Sequence, residues 1–160
     1  MPNWCQNHLT VTGATPEFRA WLADGFSLQR MNPVYPPASR YDSAIASWRS
    51  INIYSNAWGT KCDLDDNEQR QVAHELLENG AAFFDTAWSP PIQAIEALSK
   101  QFPEVAFQLH YCELGMFFAG TATLKAGECH DEFNEEKASV MKIACDIFGY
   151  EDEEDCEPVS

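Results

Sequence analysis

The sequence is poor in basic residues. It has 10 Lys and Arg against 25 Asp and Glu, which gives a formal net charge of −15 at pH 7. A surface with this balance repels nucleic acid phosphates and anionic lipid headgroups, so direct binding to nucleic acid or membrane is not expected. It favours a protein partner with a basic surface, although an acidic balance is also a common means of keeping a domain soluble.

The sequence also lacks segments typical of membrane or secreted proteins. No apolar run reaches about 18 residues, which is the usual minimum for a membrane-spanning helix. The first residues do not form the basic and then apolar regions of a secretory signal peptide. The six cysteines are irregularly spaced and contain no Cys-x-x-Cys pair. These features predict reduced thiols in a cytoplasmic protein.

Familiar catalytic motifs are missing as well. There is no Gly-x-Ser-x-Gly elbow and no phosphate-binding loop. The segment from His74 to Glu78 is similar to a zinc-protease helix, but Glu78 stands where the second His is required. Cys5 and His8 lie three residues apart on a predicted strand, so they face opposite sides of it. The sequence therefore predicts no catalytic residue, no cofactor and no enzyme activity.

Residue types that bind metals come close together at two places, His110 with Cys112 and Cys129 with His130. On a strand His110 and Cys112 share a face, and a hairpin would bring the second pair nearer. The spacing matches no common zinc pattern. Buried thiols and unrelated polar positions explain these residues better, and no metal is predicted.

Hydrophobic periodicity divides the chain into strands and helices. Short apolar or alternating segments predict strands at 7–12, 51–54, 81–84, 105–111 and 116–125. Apolar residues three or four apart predict five helices. Three of them follow the caps Thr15, Ser89 and Asn134, one opens at Asp66, and one occupies 41–49. The order predicts an α+β fold, with a mainly antiparallel sheet of about four strands and helices packed on one face.

The stretch 83–91, Phe-Phe-Asp-Thr-Ala-Trp-Ser-Pro-Pro, organises this pattern because it takes a buried strand directly into a helix. Ser89 is placed to accept hydrogen bonds from the first helical amides, and Pro90 stands where a missing N–H is harmless. Trp88 is expected at the rim of the sheet. The stretch predicts architecture and names no activity.

Four segments, taken together, resemble the YubB ferredoxin-like domain family, which occurs in plasmid and phage proteins of largely unknown function. They are 1–13, Trp58-Gly59-Thr60-Lys61-Cys62-Asp63, 84–91 and 111–120. The family usually has Asn and Trp where this chain has Ala57 and Cys62. The resemblance implies a ferredoxin-like α+β sandwich and an origin on a mobile element, and it implies no reaction.

Acidic residues are concentrated at the C-terminal end. From residue 128 onward twelve acidic and two basic residues give −10, whereas residues 1–127 give −5. We expect a single α+β domain at 1–150, with the helix at 134–148 as an acidic addition and 151–160 as an acidic tail. The residues expected to contact a partner are Glu128, Asp131, Glu132, Glu135, Glu136, Asp146, Glu151, Asp152, Glu153, Glu154 and Asp155.

Two functional hypotheses follow. The favoured one is a non-enzymatic phage- or plasmid-borne protein in the host cytosol that mimics DNA and occupies the basic nucleic-acid-binding surface of a defence complex, as anti-CRISPR or anti-restriction inhibitors do. The alternative is a small enzyme or ligand-binding domain that uses Trp58, Gly59, Thr60 and Lys61 beside Trp88, with Lys61 on an anion and the aromatic rings on a planar group. The oligomeric state is not predicted.

Overall fold

The computed structural model describes residues 3–34 and 48–150. The strands in these ranges are β1 (Trp4–Thr12), β2 (Ala81–Ala87), β3 (Ala106–Glu113), β4 (Phe118–Lys125) and β5 (Glu128–Asn134). The helices are α1 (Pro16–Ala23), α2 (Leu28–Met31), α3 (Trp48–Trp58), α4 (Asp66–Asn79), α5 (Ile92–Gln101) and α6 (Lys137–Phe148).

The strands form one antiparallel sheet in the order β2-β1-β3-β4-β5. The α+β class is therefore confirmed, but the described sheet has five strands rather than about four. The fifth strand was missed because its sequence has no apolar alternation, and every residue from 128 to 133 is exposed. Asn134 ends this strand and does not cap a helix, since α6 begins at Lys137.

One face of the sheet carries the main core. Phe107, Leu109 and Tyr111 of β3 alternate inward as predicted, and α1, α4 and α5 lie over them and over the neighbouring strands. Phe18 of α1 packs edge-on against Phe107, with ring centroids 5.5 Å apart. Burying each such side chain contributes roughly 1.5–3 kcal/mol, so this face supplies most of the hydrophobic stabilisation.

The opposite face is partly covered by α6. Cys112 of β3 and Ala119 of β4 pack with Val140 and Ala144 of this helix in a second, smaller core. Helices therefore lie on both faces of the sheet, and the prediction that they share one face was wrong. Periodicity identified α6 as an amphipathic helix, but it does not specify which face of a sheet a helix covers.

Two helices, α2 and α3, occupy parts of the segment 26–64. The segment 51–54, predicted as a strand, belongs to α3, and 41–47 of the helix predicted at 41–49 lies outside the described residues. Tyr54 and Trp58 stack with centroids 4.9 Å apart. Residues four apart contact each other in this way on a helix. The short alternation of apolar and polar residues at 51–54 instead favoured the prediction of a strand.

Helix starts follow the predicted chemistry in two cases. The Thr15 hydroxyl accepts a hydrogen bond from the Phe18 amide at 3.2 Å and caps α1. Helix α4 opens at Asp66 as predicted, and its cap is Asp65, whose carboxylate accepts from the Glu68 amide at 2.8 Å. Each cap satisfies an amide that has no partner within its own helix.

The structure bears on two expectations about the cellular environment, the redox state of the cysteines and the lack of a membrane-spanning helix. Cys5, Cys62, Cys112 and Cys129 are free thiols. Cys145 is disulfide-bonded, so the prediction of reduced thiols does not hold for that residue. In the ranges 3–34 and 48–150, no helix is long and apolar enough to cross a membrane.

Gly120 leaves room for a core side chain, that of Tyr111, to contact the edge strand β5. The buried Tyr111 side chain passes over Gly120 and its hydroxyl donates to Asp131 Oδ1 at 2.6 Å. A Cβ on Gly120 would lie 2.6 Å from the Glu132 carbonyl oxygen and closer still to the Tyr111 hydroxyl. Burial, and then the bond to Asp131, raise the pKa of Tyr111, so the phenol stays protonated and remains a donor.

We therefore predict that Gly120→Ala lowers the free energy of unfolding by about 1–3 kcal/mol, because the added methyl group forces Tyr111 or β5 to move. Urea unfolding measures this. Thr123→Ala, an exposed change on the same strand, is the control and should remain within about 0.5 kcal/mol of wild type. Equal stability of the two variants would show that Gly120 is not required for this packing.

Candidate functional site

The aromatic site predicted around Trp58 is not a surface in this structure. Trp58 is 1% exposed and its indole Nε1 donates to the Asn32 carbonyl oxygen at 2.8 Å. Thr60 is fully buried and its hydroxyl donates to the Ala87 carbonyl oxygen at 2.7 Å. These two side chains join the end of α3 to the end of β2, so the expectation that they contact a ligand is corrected.

Gly59 belongs to the same junction. The Ser89 hydroxyl donates to the Gly59 carbonyl oxygen, and a Cβ on Gly59 would lie 2.6 Å from the Pro90 carbonyl oxygen. The φ angle of Gly59 is +89°, which also favours glycine. Ser89 was predicted to cap the next helix, but α5 begins at Ile92 after Pro91, and Ser89 instead stabilises the turn that contains Gly59.

Lys61 and Trp88 remain at the surface and contact each other. The Lys61 ammonium lies 3.9 Å from the centroid of the Trp88 ring, which is 49% exposed. Such an exposed cation–π contact contributes about 0.5–1 kcal/mol. Of the side chains predicted for the ligand site, those of Lys61 and Trp88 reach the surface, where they contact each other.

Five of the six predicted acidic residues in the described chain lie on the edge strand β5 or on the link that follows it. Glu128, Asp131 and Glu132 lie on β5, and Glu135 and Glu136 occupy the link between β5 and α6, where both are exposed. No Lys or Arg occurs from residue 126 to residue 136. We refer to Glu128, Asp131, Glu132, Glu135 and Glu136 as the acidic edge.

The remaining acidic residues contribute differently. Asp146 accepts a hydrogen bond from Lys142 at 2.9 Å on α6, and this contact raises the pKa of Lys142. The pair is therefore locally neutral. Glu132 lies 3.5 Å from His130 on the same strand. Glu151, Asp152, Glu153, Glu154 and Asp155 lie outside the described residues.

The four residues considered for metal binding are not assembled into a site. His110 Nδ1 lies 2.9 Å from the Thr121 hydroxyl, and Cys112 is buried under α6, where burial raises its pKa to about 11. Cys129 and His130 alternate on β5 and face opposite sides of the sheet. In the part of the chain that the structure describes, no three potential ligands form a group that could hold a metal ion.

A feature that sequence reasoning missed is the pair of histidines beside α6 on the second face. His8 and His110 are register partners on β1 and β3, with stacked rings 6.2 Å apart, and His8 also packs on Phe83 at 4.3 Å. Burial lowers the pKa of both histidines, and the proximity of His8 lowers that of His110 further. The alternation within each strand placed His8 and His110 on the side facing away from the main core. That β1 pairs with β3, and so brings the two histidines together, cannot be predicted from either strand alone.

Residues 54–156 match the family model described as the ferredoxin-like domain in Api92-like protein. The match begins within α3 and continues past α6, so it includes β5 and the whole acidic edge. It confirms the ferredoxin-like fold that the resemblance implied. No curated protein and no solved structure matches the chain.

The buried Trp58 and the half-exposed Trp88 predict different effects of substitution on stability. Trp58→Ala should lower the free energy of unfolding by about 3–5 kcal/mol, because it empties a core position and leaves the Asn32 carbonyl without its donor. Trp88→Ala should lower it by about 1 kcal/mol or less, since the ring is half exposed. Chemical denaturation of both variants tests this, and a larger loss for Trp88→Ala would contradict the assignment of Trp58 to the core.

The stacked histidines predict a pH dependence. Their folded-state pKa values lie below the value of about 6.5 expected in the unfolded chain, so the unfolded state binds more protons in mild acid. Their contribution to stability is present above about pH 6.5 and is lost as the pH falls through the folded-state values. The free energy of unfolding should therefore decline from about pH 7.5 to about pH 5.5, and less steeply in the His8→Gln, His110→Gln variant.

The matched control is the His74→Gln, His130→Gln variant, which removes the same number of histidines from exposed positions. It should keep the wild-type slope. Asp85 also lies on this face, and burial raises its pKa, which acts in the opposite direction at lower pH. A slope that is the same in both double variants would rule out the stacked pair as its source.

Proposed function

Because the chain belongs to the family of the ferredoxin-like domain in Api92-like protein, we propose that it is a non-enzymatic binding domain whose acidic edge engages a basic surface of another protein. The proposal also includes the mobile-element origin that the resemblance to the YubB family implies. The chain is then a YubB-type protein of a phage or plasmid, acting in the host cytosol on a basic nucleic-acid-binding surface of a defence complex.

The observation that supports the proposal is the exposure of β5. Each residue from 128 to 133 is exposed, so Glu128 and Glu132 project from one face of the edge strand and Asp131 from the other. The sheet orders the backbone that carries these carboxylates, so little backbone ordering is needed when a partner binds. Charges presented in this way speed encounter with a basic partner and select against acidic ones.

The alternative function has less support. A ligand site built on the segment from Trp58 to Lys61 requires exposed aromatic and hydroxyl groups. Trp58 and Thr60 are buried and hydrogen-bonded to the backbone, and Lys61 is engaged with Trp88. Nucleic acid itself is disfavoured as a partner by the net charge of −15.

The test is charge neutralisation at unchanged shape. The full chain is used to capture heparin-binding proteins from a bacterial lysate, in low and high salt, and the dissociation constant of a purified captured protein is then measured. Deletion after Gly127 is unsuitable because it removes β5 and α6, which cover part of the sheet. The variant Glu128→Gln, Glu132→Gln, Glu135→Gln, Glu136→Gln should bind about tenfold more weakly, as expected for four exposed charge contacts.

The matched control carries Glu17→Gln, Glu75→Gln, Glu78→Gln and Glu104→Gln, which change the net charge equally at sites away from β5. It should bind as wild type, and duplex DNA should compete with the chain for the captured protein. Equal weakening of both variants would show that only total charge matters. Binding that is insensitive to salt would refute recognition by charge.

A further inference from the structure

We propose that β5 accepts an additional β-strand from its partner, and that the partner segment is an extended, basic and amphipathic peptide. This inference rests on the proposed function and specifies how the acidic edge is used. Strand addition to an open sheet edge obtains affinity from backbone hydrogen bonds and specificity from alternate side chains. Both elements are present on β5.

The open edge carries the first part of the argument. Strand β5 pairs with β4 on one side, and no strand in the ranges 3–34 and 48–150 pairs with its other side. A terminal strand presents a row of backbone N–H and C=O groups that can pair with another chain. The opposite edge of the sheet, β2, has Asp85 as its only charged residue, so β5 alone combines an open edge with several carboxylates.

The edge strand is also fixed before a partner arrives. The hydrogen bond from Tyr111 to Asp131 ties the middle of β5 to a side chain of the core, and Phe133 packs on Phe118 with centroids 5.5 Å apart. A strand that already has its extended geometry loses little conformational freedom when another strand pairs with it. These contacts hold β5 as a template although its own side chains are exposed.

The two faces of β5 specify the partner. Glu128, His130 and Glu132 lie on one face, and Asp131 and Phe133 lie on the other. Side chains directly opposite each other on paired strands interact most strongly. A complementary strand therefore carries Lys or Arg against the two glutamates, and an apolar side chain against Phe133, which is 52% exposed.

A second copy of this chain fits poorly. Pairing of two β5 strands would bring the carboxylates of Glu128, Asp131 and Glu132 from both copies into one ribbon. Charged residues on an edge strand are a usual means of preventing such self-association. This repulsion does not apply to a basic strand, which would neutralise the same carboxylates.

The experiment uses the full chain and a capped peptide of about eight residues in which Lys alternates with Thr and Val. Two further peptides have the identical sequence but are N-methylated at alternate backbone amides, one at odd-numbered and one at even-numbered residues. Each keeps its charge but cannot form backbone hydrogen bonds along its methylated edge. The unmodified peptide should bind and slow the hydrogen exchange of amides in 128–134. N-methylation of the pairing edge should weaken binding about tenfold or more, because several backbone hydrogen bonds are lost.

The Glu128→Gln, Glu132→Gln variant should also bind the unmodified peptide more weakly, whereas Glu135→Gln, Glu136→Gln, which lies beyond the strand, should not. Equal and salt-sensitive binding of all peptides, without protection of 128–134, would overturn strand addition and leave the proposed function intact. Failure of every peptide while the captured basic protein still binds would overturn it too. If neither the peptides nor the captured protein bound, both proposals would be overturned. Concentration-dependent dimerisation through β5 would show that the added strand comes from a second copy of the chain, which would overturn the proposal of a basic peptide.

Discussion

The hydrogen bond between the Tyr111 hydroxyl and the Asp131 carboxylate joins two contrasting parts of this molecule, the buried core and an edge strand whose residues 128–133 are all exposed. A hydrogen bond to a charged group contributes about 1.5–3 kcal/mol, which is large for a strand that buries almost no apolar surface. The glycine at position 120 makes the bond geometrically possible. Without the bond, the edge strand would depend on its ladder to β4 and on the contact between Phe118 and Phe133, and a buried hydroxyl would lose its partner.

A second set of polar contacts fixes the other end of the sheet. The Asn7 amide donates to the Phe84 carbonyl oxygen at 3.2 Å and to the Thr86 hydroxyl at 2.9 Å, and that hydroxyl donates to the Ser89 carbonyl oxygen at 2.7 Å. Together with Thr60 and the Ser89 hydroxyl, these contacts connect β1, β2 and the end of α3. The segments Trp-Gly-Thr-Lys at 58–61 and Trp-Ser-Pro-Pro at 88–91 meet at this junction. The buried Trp58 and Thr60 maintain the fold through hydrogen bonds to backbone carbonyl groups.

The sequence determines those features that one short segment can encode. The alternation in β3, the Thr15 cap of α1 and the start of α4 at Asp66 are local, and all three were predicted. Two features depend on distant residues and were not predicted. The burial of Trp58 depends on Asn32, and the pairing of His8 with His110 depends on strand order. Strand β5 lies next to β4 in the chain and was missed because its sequence has no apolar alternation. The acidic residues were identified from composition, but only the sheet shows that they occupy one edge.

The position of the acidic edge also explains how the fold accommodates its charge. A carboxylate on an edge strand is hydrated on both sides of the sheet, so it avoids the desolvation that an inward position would impose. Repulsion between neighbouring carboxylates is weakened there by water and salt, with a screening length of about 10 Å at 0.1 M ionic strength. The edge therefore accommodates many acidic residues at little cost to the stability of the domain. Under the proposed function a basic partner would neutralise several carboxylates of one strand and of the link after it, and no Lys or Arg from 126 to 136 competes for them. The same carboxylates oppose pairing between two copies of β5, whereas a basic strand would neutralise them.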